Sequence, residues 1–130
     1  MADADKYRAP LARVRGLGAA KSGTEHFWLQ RVTAVGLVPL TVIFVIYLLG
    51  LVGADLAAVK ATLGRPVPAT ITILLVVASF WHAKLGLQVI IEDYVHHEGA
   101  KLVSLLLLSF ACVAIGLATV LAVLKLALGI

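Results

Sequence analysis

The sequence predicts an all-α integral membrane protein whose three transmembrane helices form part of a heteromeric helix bundle. The first observation is composition: of 130 residues, 62% are hydrophobic and the mean hydropathy is +1.04, well above the roughly 45–50% apolar usage of soluble domains. The second is length. Val32 to Val52, Ala69 to Ile91 and Leu102 to Ile130 are apolar runs, each meeting the roughly 20 residues needed to cross about 30 Å of hydrocarbon. Lipid offers no partner to open backbone groups, so each run is expected to be helical. The third is the presence of His82 and Lys84 inside the second run, groups that ask for a partner chain or a wet cavity. The expected organisation is an N-terminal cytoplasmic segment, 1–30, and a membrane anchor, 31–130, with spans at about 32–52, 69–91 and 102–128.

The N-terminal segment is polar and carries Lys6, Arg8, Arg13, Arg15 and Lys21 with no apolar core ahead of the first span, so no cleaved signal peptide is expected. Asp3 and Asp5 argue against a mitochondrial transit peptide, which leaves a bacterial inner membrane as the expected home. Arg31 brings the basic residues flanking the first span to six, against Lys60 and Arg65 in the first loop. The positive-inside rule then puts the N-terminus in the cytoplasm, and three crossings put the C-terminus in the periplasm.

The stretch "RGLGAAKSGTEHFWLQR" resembles a phosphate loop only in its glycines, because Lys21 and Ser22 precede Gly23 and no GK[ST] follows a strand. It reads as an irregular cytoplasmic stretch on the membrane or a partner, with Thr24 as a helix cap and Trp28 at headgroup depth. Pro39 removes a backbone hydrogen bond from span one and is expected to bend it. "GADLAAVKATLGRPVP" forms the far-side loop with a short amphipathic turn, and Pro68 suits the first turn of span two. "HHEGAK" returns the chain, with Gly99 expected to break the helix. In span three, Ala114, Ala118 and Ala122 form a small-residue stripe open to another helix, and Lys125 can snorkel to the far interface.

A net charge of +4 does not point to nucleic acid, since the basic residues sit beside the first span, where anionic lipid headgroups account for them. Cys112 is the only cysteine and lies in the third span, so an intrachain disulfide and a cysteine-built iron–sulfur or zinc site are excluded.

His82 lies near mid-membrane, about 18 Å from Tyr94 at 1.5 Å per residue. Two readings stay open for it: a neutral imidazole bonded to a neighbouring helix, or a functional group. Gly86, one turn on, leaves space for a flat ring such as haem. Electron-transfer haem iron takes two axial ligands, and this chain has one intramembrane histidine and Met1 as its only methionine. If His82 binds such a haem, the other ligand must come from a second subunit.

Asp93 lies about 20° from the His82 face and Tyr94 about 120° away, at 100° per residue. Such a pair can hold a carbonyl and pass protons from water, or can be an interfacial aromatic beside ordinary helix-end charges. Arg31 can reach a propionate or phosphate held between helices, or can pair with lipid phosphate. Lys84 points about 200° from His82. His26, His96 and His97 lie on the cytoplasmic side.

Together, "SGTEHFWLQRVTAVGLVPL" and "HAKLGLQVIIEDYV" resemble the hydrophobic membrane-anchor (D) subunit of succinate dehydrogenase, from about Arg15 to Val95. The third span matches in type only. The resemblance implies a three-helix subunit that shares haem b with a second anchor (C) subunit and helps bind ubiquinone beside an iron–sulfur subunit, itself joined to a flavoprotein subunit that oxidises succinate. It implies that His82 is the haem ligand, Tyr94 the quinone hydrogen-bond donor, Asp93 an aid to protonation and Arg31 a contact of the propionate or quinone pocket, with His26 a looser match. It assigns nothing to Lys84, His96 or His97. Rival readings are a fumarate reductase anchor, a transporter or proton channel relaying through Lys84, His82 and Asp93, and an anchor without cofactor.

Overall fold

A computed structural model describes residues 10–15 and 23–130. The glycine-containing stretch from Gly16 to Ser22, and Lys6 and Arg8, lie outside the described residues. Five helices follow in order: α1 (Pro10–Val14), α2 (Gly23–Gly50), α3 (Leu56–Leu63), α4 (Pro66–Tyr94) and α5 (Glu98–Leu128). Only α2, α4 and α5 are long and apolar enough, among the described residues, to cross a membrane. At 1.5 Å per residue they run about 42 to 46 Å, well beyond a hydrocarbon core of about 30 Å.

α4 lies between the other two, packing against α2 on one side and α5 on the other. The short amphipathic turn expected in the first loop is α3. Asp55 caps its start, accepting from the Ala58 backbone N–H at 2.9 Å, and it rests against α5 and α4. Gly53 sits at φ +79° in the preceding turn, a left-handed conformation that a β-carbon disfavours. Pro66 and Pro68 occupy the first turn of α4, where a missing N–H costs nothing.

Two local expectations are corrected, at the start of α2 and at Gly99. α2 begins at Gly23, more than two turns before the apolar run, so the residues from Gly23 to Arg31 are helical rather than irregular and Thr24 lies inside the helix rather than capping it. Helical propensity and packing against α4 extend the helix past the point where hydrophobicity stops. Pro39 lies inside α2, which continues on both sides of it. Gly99 does not break the α4–α5 connection: it is the second residue of α5, and the chain turns at Val95 and His96. His97 is the N-cap, its Nδ1 accepting from the Ala100 N–H at 3.4 Å.

Little of the molecule is interior. Among the described residues Leu85, Val123 and Pro68 are buried, with Thr72 the buried polar one; the Thr72 hydroxyl donates to the Pro68 carbonyl at 2.8 Å. Ala114, Ala118 and Ala122 all face outward.

Candidate functional site

α2 and α4 run antiparallel, and the register between them builds the site. Thr33 faces His82, Gln30 faces Gly86, and Gly23 shares a cavity wall with Val89. The cavity, about 470 Å³, is lined by Gly23, His26, Phe27, Gln30, Arg31, Ala34, His82 and Val89. His26, Gln30 and Thr33 fall at i, i+4 and i+7, so α2 presents one polar stripe to α4.

His82 is half-buried. Its Nδ1 lies 3.0 Å from the Thr33 hydroxyl, so the bond to a neighbouring helix that the sequence allowed is present. That bond uses one ring nitrogen and leaves Nε2 for another partner. On the opposite wall, His26 Nε2 and Gln30 Oε1 are buried with no hydrogen-bond partner among the described residues. Leaving such atoms unsatisfied costs about 1–3 kcal/mol each. Arg31 is exposed at the cavity edge, its guanidinium carbon 5.2 Å from the centroid of the Phe27 ring. Stacking on the aromatic holds the charge in place while its N–H groups stay open.

The donor set suits haem. The His82 imidazole with one nitrogen free and a guanidinium at the rim match an iron and a propionate. Gly86 lies under the Gln30 amide rather than under open space: a methyl there would meet Gln30 Nε2 at 3.7 Å, an ordinary contact.

The structure therefore joins His82 and Arg31 in one cavity and does not bring Asp93 and Tyr94 into it. Both lie past Val89 at the end of α4. Tyr94 is 78% exposed, and no side-chain hydrogen bond joins either residue to the described residues. Their neighbour Glu92 is engaged, accepting from Gln88 Nε2 at 2.8 Å. Lys84 sits on the other side of α4, half-buried in an apolar groove of about 340 Å³ shared with Phe80, Trp81, Cys112 and Gly116. A single relay through Lys84, His82 and Asp93 has no common channel in this arrangement.

Thr33 and Gln30 escaped the sequence reading. The polar spacing from His26 to Thr33 was the available signal, hidden by treating the segment before Val32 as irregular.

Comparison with known proteins agrees with this architecture. Residues 5–116 match the family described as succinate dehydrogenase/fumarate reductase transmembrane subunit. The chain is 38% identical to the succinate dehydrogenase hydrophobic membrane anchor subunit of Paracoccus denitrificans over 89 residues, 68% of this chain and 69% of that protein. It is 36% identical to the protein of that name from Rickettsia bellii over 89 residues, 68% of this chain and 71% of the relative. It is 34% identical to the succinate dehydrogenase membrane anchor subunit of Reclinomonas americana over 102 residues, 73% of this chain and 82% of the relative. No solved structure matches. With more than half its length matched and three membrane-length helices in place, the chain belongs to the family of succinate dehydrogenase/fumarate reductase transmembrane subunits.

Proposed function

We propose that this succinate dehydrogenase anchor subunit holds haem b through His82 and contributes Tyr94 and Asp93 to a ubiquinone site at the cytoplasmic face of a bacterial inner membrane. The observation that carries the haem reading is the cavity itself. His82 with a free ring nitrogen and Arg31 at the rim share one space between α2 and α4, with His26 and Gln30 among its other lining residues.

The bound haem supplies a one-electron carrier. His82 would hold the iron through Nε2, and a second anchor subunit would supply a further ligand. Arg31 pairs with a propionate, and His26 closes the same polar wall. Succinate oxidation and iron–sulfur transfer belong to the flavoprotein and iron–sulfur partners.

Reducing ubiquinone to ubiquinol takes two electrons and two protons. Tyr94 donates a hydrogen bond to a quinone carbonyl oxygen, and Asp93 passes protons to the site from water. The exposure of both residues at the helix end fits a site completed by partner subunits.

The deciding experiment is the absorption spectrum of the purified complex. The wild-type assembly shows a b-type band, and His82→Ala loses or shifts it while the subunits still co-purify. A band unchanged in His82→Ala overturns the ligand assignment and favours an anchor in which the histidine only bridges helices.

A further inference from the structure

We propose that Thr33 is the positioning residue of the haem site: it fixes the tautomer and orientation of His82 so that the lone pair stands on Nε2. This inference rests on the reading of His82 as the iron ligand.

The argument is a count of protons. The Thr33 Oγ1 lies 2.7 Å from the Leu29 carbonyl oxygen, 3.1 Å from that of Gln30 and 3.0 Å from His82 Nδ1. A hydroxyl has one proton and two lone pairs, and a carbonyl only accepts. The single Thr33 proton is therefore taken by its own helix, with Leu29 as the nearer acceptor. The remaining contact is a hydrogen bond only if Nδ1–H donates to Oγ1. A neutral imidazole carrying its proton on Nδ1 has its lone pair on Nε2.

The opposite tautomer turns the Thr33 proton toward Nδ1 and gives up both helix contacts, in a membrane interior with little water to replace them. β-Branching restricts the Thr33 rotamer, so α2 sets the hydroxyl before the imidazole meets it. Metal-binding histidines commonly donate their second N–H to an acceptor that orients the ring and raises its basicity. In this chain the acceptor is a neutral hydroxyl on the neighbouring helix.

Three variants of the intact complex test it. Thr33→Val keeps the shape and removes the acceptor. It should weaken haem retention about tenfold or more, the scale typical of such second partners, raise the haem midpoint potential through a less basic ligand, and alter the low-spin EPR signal. Thr33→Ser keeps the hydroxyl and should restore all three. Where the valine variant does not assemble, Thr33→Cys retains the shape with a poorer acceptor and should move potential and EPR signal in the same direction. His82→Ala serves as reference. If it loses the haem while the valine or cysteine variant matches wild type, or if serine behaves like valine, the role of Thr33 is overturned and the haem ligand stands. If His82→Ala keeps an unchanged haem, the underlying ligand reading has failed instead.

Discussion

Gly116 of α5 lies against the Phe80 ring of α4, so close that a methyl built on its α-carbon meets the ring Cγ at 3.3 Å. Carbon atoms pack best at about 3.5–4.0 Å, so the ring must give way to any larger residue. Gly116→Leu is expected to destabilise the α4–α5 pair by about 1–3 kcal/mol through overpacking. Resistance to detergent unfolding measures this, and adding Phe80→Ala should recover part of the loss. No loss in Gly116→Leu contradicts the contact.

Arg31 provides the second prediction. With its guanidinium over Phe27 and its N–H groups open to the cavity, it is placed to hold a propionate. Arg31→Gln should make haem more easily extracted from the purified complex, with Arg31→Lys intermediate because an ammonium keeps the charge without the planar fork. Equal retention in both variants assigns the arginine to lipid phosphate.

Tyr94→Phe separates quinone chemistry from succinate oxidation. It removes one hydroxyl from an exposed helix end, so folding should be unaffected. Succinate-to-quinone turnover should fall about tenfold or more, in the range of a lost positioned proton donor, while reduction of a soluble acceptor continues. Parallel loss of both activities points to a disturbed assembly.

Lys84 makes the control. It lines the α4–α5 groove, away from the His82 cavity, so Lys84→Met should leave the haem band and quinone rate in place. A loss of the band comparable to that in His82→Ala excludes this separation of the two faces of α4.

The topology can be read with reporter fusions. Six basic residues around the N-terminal flank predict an alkaline phosphatase fusion active at the C-terminus and inactive at the N-terminus. Activity at the N-terminus instead inverts the arrangement.

The three spans were legible because crossing a bilayer demands long apolar runs, and hydropathy alone finds them. Their ends were not. The α2 start lies where His26, Gln30 and Arg31 interrupt the apolar pattern while the helix continues, since polarity ends a span without ending a helix. His82 stood out as the one histidine inside the apolar runs. Thr33, its hydrogen-bond partner, did not, because a threonine in an apolar run is unremarkable until the register across two helices places it. His97 as a helix cap was concealed by Gly99, whose backbone freedom the turn does not use.

With so few side chains enclosed by its own three long helices, this polypeptide hardly closes upon itself. Helices without a filled core associate weakly in lipid, so separate copies hold their shape only when other subunits cover them. Copies made without such neighbours are expected to be shorter-lived than assembled ones, and a pulse-chase with and without the other subunits measures this.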